Sequence, residues 1–197
     1  MTVITISRQL GSLGRNLGNQ LASRLGYRLV YRELINQAAL NAGVPDMALA
    51  TIDEFGLLGI EPDEKNQRSY LQAVQDIIGK LAEEGNVIIV GRAGQVILRS
   101  HPSAFHLRVI APLETRIQRI VAAQGVSQQA ARAQIEDSDR YRTQYLRRFY
   151  HIEWDQPTHY HLVINTGKLS LETAAEVVCR ALQHRSGPTT FEETHRE

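Results

Sequence analysis

Short β-branched runs alternate with longer stretches of helical spacing along most of this chain. Val3-Ile4-Thr5-Ile6 is followed at once by a polar, glycine-containing turn from Ser7 to Gly14, which predicts a strand ending in a loop. Leu17, Leu21 and Leu25 recur every four residues and Gly26 closes the run, so a helix is expected there. Tyr27 to Tyr31 reads as a second short strand, and Arg32 to Asn41 as a helix with Leu34, Ala38 and Asn41 on one side. Helical spacing returns from Gln67 to Glu84 through Leu71, Val74, Ile77, Ile78 and Leu81. Val87-Ile88-Ile89-Val90 is the best buried-strand candidate and runs straight into Gly91-Arg92. Phe105 to Ile110 is another strand, stopped by Ala111-Pro112. Helices are expected from Leu113 to Gln124 and from Ser127, a good N-cap, to about Tyr150. A strand over Tyr160 to Ile164 and a helix over Ser170 to Gln183 complete the pattern.

Strands that alternate with helices, and that are apolar throughout, predict a parallel sheet covered on both faces. Such a sheet binds ligands at the carboxyl ends of its strands. The pattern weakens over residues 44–66, where Pro45, Gly56, Gly59 and Pro62 stand among acidic residues, so a mobile insertion is expected there. Residues 185–197 read as a loose tail behind one domain over residues 1–184.

Length fits that organisation: 197 residues suit one domain with small insertions. Folding at this size removes about 70% of the unfolded chain's accessible area, so no staple is needed. With 43% hydrophobic and 22% charged residues, global disorder is excluded. No stretch nears the roughly 18 apolar residues of a membrane span, and MTVITISRQL lacks the basic start and apolar block of a signal peptide. A cytoplasmic protein is expected. The formal charge of +1 gives no global pull toward nucleic acid or an anionic membrane. Its make-up says more: lysine is confined to Lys65, Lys80 and Lys168, and the remaining cations are arginines, suited to a bidentate grip on carboxylate or phosphate. The single cysteine, Cys179, lies in an apolar helical pattern and reads as a small core residue.

Candidate chemistry gathers at the predicted carboxyl edge. Between a strand and a helix, the segment Ser7 to Asn16 places Gly11 and Gly14 where backbone N–H groups could surround a phosphate with help from the helix dipole. Against the pattern G-x-x-x-x-G-K-[ST], Gln9 falls at the first glycine, Arg15 at the lysine and Asn16 at the hydroxyl that binds Mg²⁺. A closely packed strand-to-helix turn would use the same glycines. Gly91-Arg92-Ala93-Gly94 leaves the central apolar strand and points to an anion-binding arginine, although an ordinary turn could carry one too. The stretch Asp139 to Tyr150 carries Arg140, Arg142, Arg147 and Arg148, either a solvated helix face or a mobile helix that closes over phosphates. Its interleaved tyrosines would also suit RNA stacking, against which the near-neutral charge argues. Arg116 and Arg119 share a helix face. His159 and His161 share a strand face without a third metal ligand, so packing is their default. No Ser-His-Asp, H-E-x-x-H or paired-carboxylate spacing supports hydrolase chemistry.

Taken together, Ile4 to Gln9 with Gly11-Ser12 and Gly14, Tyr31 to Ile35, Gly91-Arg92-Ala93, Ala111-Pro112 with Arg116 and Arg119, Asp139 with Arg142, and Trp154 to Pro157 leading to Tyr160 and Leu162 resemble the cytidylate kinase-like group of nucleoside monophosphate kinases. The resemblance runs from Ile4 to about Leu182. It implies a three-layer α/β/α fold of the P-loop type with a five-stranded parallel sheet, a small insertion for the monophosphate, and a helical lid over about residues 127–150. ATP phosphates would lie in the loop of Gln9, Gly11, Ser12, Leu13, Gly14, Arg15 and Asn16, with Mg²⁺ at Asn16. A monophosphate acceptor would lie near Gly91, Arg92 and the Tyr31 to Glu33 segment with Arg32. Arg116 and Arg119 would stand at the lid hinge, and Arg15, Arg140, Arg142 and Arg147 would neutralise charge during transfer. The implied activity is ATP-dependent phosphorylation of CMP or dCMP, with small nucleotides as partners. Family members with a P-loop lysine and hydroxyl, and an aspartate before Gly-Arg, differ from this chain, which has Arg15, Asn16 and Val90 there. A nucleotide-binding regulator with little or no turnover is therefore the alternative.

Overall fold

A computed structural model describes residues 2–41, 43, 44 and 64–185 of the chain. Five strands, β1 (Val3–Arg8), β2 (Arg28–Val30), β3 (Val87–Val90), β4 (Ala104–Ile110) and β5 (Leu162–Asn165), form one sheet in the order β2-β3-β1-β4-β5. All pairings are parallel, with Val3 in register with Val87 on one side and Ala104 on the other. The helices are α1 (Gly14–Leu25), α2 (Arg32–Asn41), α3 (Glu64–Glu84), the single turn α4 (Gly94–Ile97), α5 (Leu113–Gln124), α6 (Gln128–Tyr150) and α7 (Leu171–Gln183).

Alternation along the apolar strands builds the layers. Ile4, Ile6, Ile88, Val90, Leu107 and Val109 face Leu17 and Leu21 of α1 and Ala174, Ala175 and Val178 of α7. Val3, Val87, Ile89 and Ala104 face the other way, onto Ile35 and Ala39 of α2, Tyr70, Val74 and Ile78 of α3, and Tyr145 and Leu146 of α6. β1 is buried from Val3 to Ser7, as a strand with covered faces and paired edges must be. A smaller cluster of Ile117, Ile120, Ala131 and Ile135 joins α5 to α6. The three-layer α/β/α architecture with a five-stranded parallel sheet is thus as the sequence predicts.

Boundaries hold where chemistry marks them. Gly26 caps α1 in the left-handed conformation (φ 68°), donating its N–H to Ala22, and Ser127 Oγ accepts the Ala130 N–H at the start of α6. Four readings change. His159 ends a 3-10 turn over Pro157–His159 and His161 precedes β5, so the two do not share a strand face. The buried face of α2 carries Ile35 and Ala39, whereas Leu34 is 56% exposed: adjacent and equally apolar residues on a short helix leave open which stripe meets the sheet. Helix α3 starts at Glu64, so residues 64–66 belong to it and not to the insertion. Turn α4 lacks a sequence signal because one turn is too short for a period. Residues 45–63 of the expected insertion and 186–197 of the expected tail lie outside the described residues. Among the described residues, no helix is long and apolar enough to cross a membrane.

One polar pair sits inside the sheet. Thr5 Oγ1 and His106 Nδ1 lie 2.8 Å apart across β1 and β4. Burial, then the nearby His161 and the charge of Arg185, push the His106 imidazole down to about 4. The unfolded chain takes up this proton near pH 6.5 and the folded chain only near 4. Stability is therefore full above pH 6.5 and falls as pH drops toward 4, by about 3 kcal/mol from this group. Thermal unfolding at pH 7 and pH 4.5 should show that loss, and His106→Asn should flatten it.

Candidate active site

The loop after β1 is fixed from several sides. Gln9 N–H extends the β4 pairing by donating to Val109 O at 3.0 Å, and Gln9 Oε1 accepts the Ala111 N–H at 3.1 Å. Ser12 closes the turn, its N–H and Oγ both donating to Gln9 O, at 3.3 and 2.8 Å. Gly11 (φ 78°) has no room for a side chain: a Cβ would lie 3.0 Å from Arg116 O and Cβ. At Gly14 a Cβ would fall 2.5 Å from Arg8 Cβ, so only glycine lets α1 begin this close to the end of β1. Leu13 enters the helix in the left-handed conformation (φ 59°), and no side chain caps α1. A helix start of this kind, behind a glycine-bearing loop at a strand's carboxyl end, is suited to anionic oxygen.

Arg116 and Arg119 of α5 hold this loop by its carbonyls. Arg119 donates to Gly11 O at 3.2 Å and to Thr166 Oγ1 and O, while Thr166 Oγ1 donates to Ser12 O at 2.8 Å. Arg116 is buried, pairs with Asp139 of α6 at 2.7 Å and reaches Leu10 O. Their guanidinium groups thus tie the loop to α5, to α6 and to the end of β5.

Arg15 points away from the loop's inner side. It is 60% exposed, sits over the Tyr31 ring at 4.4 Å and reaches Glu33 Oε1 at 3.3 Å. Burial acts to raise the Glu33 carboxyl, but its backbone hydrogen bond and the charges of Arg15 and Arg32 outweigh it and hold the group below the ordinary carboxylate value. Tyr31 also donates to Asn19 Oδ1 at 2.7 Å, and its phenol is raised, chiefly by burial. Arg32 lies 4.0 Å from Glu33, and Asn16 is exposed beside Arg15 on the first turn of α1.

Gly91, Arg92 and Ala93 after β3 all have positive φ (86°, 56° and 54°). That backbone turns Arg92 inward, at a cost of order 1–2 kcal/mol for each non-glycine residue. Arg92 is fully buried, donates to Asn36 Oδ1 of α2 and lies 5.5 Å from the Tyr70 ring of α3. It lines one small pocket with Arg8 from β1 and Arg142 from α6, which Ser7, Gln95 and Trp154 also bound. Arg142 is buried against Ser138 Oγ and lies 5.9 Å from Trp154. Arg140 and Arg147 lie on the outside of α6, paired with Asp137 and Glu153.

Four residues of this centre carry no role in the sequence reading: Ser7, Arg8, Arg108 and Trp154. Arg108 interrupts the apolar strand Phe105–Ile110, and that interruption is its signal. Its guanidinium donates to Trp154 O and sits 4.4 Å from the indole, whose Nε1–H donates to Ser7 Oγ at 2.7 Å. The pocket therefore collects Arg8, Arg92 and Arg142, an arrangement able to neutralise several anionic oxygens, while Arg108 stands behind Trp154 and outside the lining. Glu33 belongs to the Tyr31 to Glu33 segment that the resemblance brings near the acceptor, and the fold adds its ion pair with Arg15 of α1.

The sheet order and the loop after its central strand define the P-loop kinase fold, and solved structures agree. An uncharacterised protein from Eubacterium ventriosum superposes with a TM-score of 0.76 at 21% identity, over 94% of this chain and 100% of that one. Shikimate kinase from Acinetobacter baumannii superposes with a TM-score of 0.53 at 11% identity, over 93% of each chain. The chain belongs to the cytidylate kinase-like family, whose model matches residues 3–168. It is 28% identical over 138 residues to a cytidylate kinase of Pyrococcus horikoshii, covering 70% of this chain and 67% of that protein. It is also 26% identical over 147 residues to a uronate isomerase of Corynebacterium glutamicum, covering 75% of this chain but only 28% of that protein's length.

Proposed function

We propose that the protein transfers the γ-phosphoryl group of ATP to a nucleoside monophosphate, with CMP or dCMP as the acceptor. The observation that carries this reading is the pocket of Arg8, Arg92 and Arg142 at the end of β1, from which the loop of residues 9–13 departs. An acceptor phosphate on Arg92 and Arg142 would face ATP phosphates held by the loop amides and the start of α1. Phosphoryl transfer needs in-line positioning and charge neutralisation more than covalent chemistry, and buried arginines with backbone amides supply both. Mg²⁺ would be held by the nucleotide phosphates and water, with the Asn16 amide oxygen and the Glu33 carboxylate as protein donors, and would neutralise phosphate charge. Arg15 leaves Glu33 and Tyr31 to reach the transferred group, a movement that gives up only an exposed ion pair and a ring contact. Arg140 and Arg147, exposed on α6, would close from the lid side.

The test is chromatographic product analysis with ATP, Mg²⁺ and each common nucleoside monophosphate in turn. Glucuronate belongs in the same panel, since arginine forks grip carboxylates too and the isomerase relative acts on a uronate. One monophosphate is expected to give its diphosphate. Arg15→Ala should lower turnover about 100-fold or more while leaving the melting temperature unchanged; undiminished activity would move the ATP phosphates elsewhere. A second reading, a nucleotide-binding regulator without turnover, is favoured by the docking of Arg15 on Tyr31 and Glu33. It predicts nucleotide binding, which the single tryptophan, Trp154, can report by fluorescence, with no product from any acceptor.

A further inference from the structure

Gln95 of α4 stands between two hollows. On one side it lines the arginine pocket; on the other it lines a cavity of about 360 Å³ bounded by Arg99, His106, Thr158, His159 and His161. The residue is only 4% exposed, and its amide makes no hydrogen bond to any described residue. Its amide atoms are not among the fully buried unpaired polar atoms, so they open onto the hollows, where a ligand or solvent completes them.

The rest of the wall has one electrostatic sign. Arg99 is exposed at the rim, and Arg185 lies close enough to lower both His106 and His161. No carboxylate lines the cavity among the described residues. His161 Nδ1 accepts the His106 backbone N–H at 2.9 Å, so in the neutral ring Nε2 carries the proton and is a donor. Thr158 and the Arg99 guanidinium add further donors, and Val96 and Ile152 contribute apolar surface. Volume and lining match a small-molecule site, with a few polar groups set among apolar and aromatic side chains.

We propose that this cavity is a second ligand site, which takes a small organic anion: its carboxylate or phosphate at Arg99, His159 and His161, and its uncharged polar body against the Gln95 amide. The site concerns binding alone and stands whether or not the chain transfers phosphate. Gln95 lines the arginine pocket as well, so the two hollows share one wall residue.

Nuclear magnetic resonance of the full chain, with ¹⁵N in the histidine rings, tests this at pH 7.5 and constant ionic strength. Citrate, ribose 5-phosphate and inorganic phosphate are added separately. The His159 and His161 ring signals should move saturably with citrate or ribose 5-phosphate, whichever anion the site prefers, and about tenfold more tightly than with inorganic phosphate. Arg99→Ala, an exposed change that leaves the core intact, should weaken binding about tenfold, and Gln95→Glu, nearly isosteric but acidic, at least as much. Saturation by inorganic phosphate as tight as by either organic anion, and indifferent to Gln95→Glu, would mark an adventitious ion only and overturn the proposal. So would the absence of a saturable shift with all three.

Discussion

Arg92→Met is expected to cut acceptor kcat/KM about 1,000-fold, near 4 kcal/mol of transition-state stabilisation, while ADP binding stays within about threefold. The asymmetry follows from where Arg92 sits. It leaves β3 rather than β1, and α2 and α3 hold it through Asn36 and Tyr70. The loop of residues 9–13 is held by different groups, Val109, Ala111, Arg116 and Arg119. Methionine keeps an apolar side chain of comparable reach in a fully buried position but offers no donor. Lysine would restore a charge without the planar fork, so Arg92→Lys should recover only part of the loss. Steady-state kinetics with each substrate varied, together with calorimetry of ADP, separates the two sides. Equal losses for both ligands would undo the assignment of Arg92 to the acceptor.

Trp154→Ala should have the largest effect on stability, about 3–5 kcal/mol, or roughly 10 °C in melting temperature. The indole is 4% exposed and donates to Ser7 Oγ, while its own carbonyl accepts from Arg108 and from Tyr160 Oη at 2.8 Å. Removing the ring opens a cavity and strips an aromatic neighbour from two buried guanidinium groups, Arg108 and Arg142. Trp154→Phe keeps the ring face and loses only the Ser7 hydrogen bond, so its cost should be nearer 1 kcal/mol. Denaturant unfolding followed by circular dichroism measures both. Wild-type stability in the alanine variant would show that Arg108 and Arg142 are held by other groups.

The layers were legible because each strand advertises itself. A run such as Val87–Val90 has no polar residue to place on a solvated face, so it must be covered twice, and helices between such runs supply the cover. The capping residues Gly26 and Ser127 set boundaries for reasons local to a few residues. The face of α2 was not legible, since Leu34 and Ile35 are equally apolar and only the position of the sheet decides which is buried. The strained turn at Arg92 was equally hidden: its two flanking glycines suggested free space, whereas Arg92 and Ala93 themselves adopt positive φ.

The candidate site divides the same way. Sequence alone marked the loop of residues 9–16, Arg92 and the arginines of α6 as candidates, because glycines at a strand-to-helix junction and clustered guanidinium groups suit anionic oxygen, although a packed turn or a solvated helix face would use them too. It could not rank those arginines. Arg142 is buried against Trp154, whereas Arg140 and Arg147, two and five residues away, are exposed and paired with Asp137 and Glu153. Nor could it join Arg8, Arg108 and Trp154 to the centre, since these contacts span up to 147 residues. Local propensity and periodicity act over a few residues and determined the elements and their order. Which side chains meet at the carboxyl edge depends on how those elements pack, and only the tertiary structure decided that.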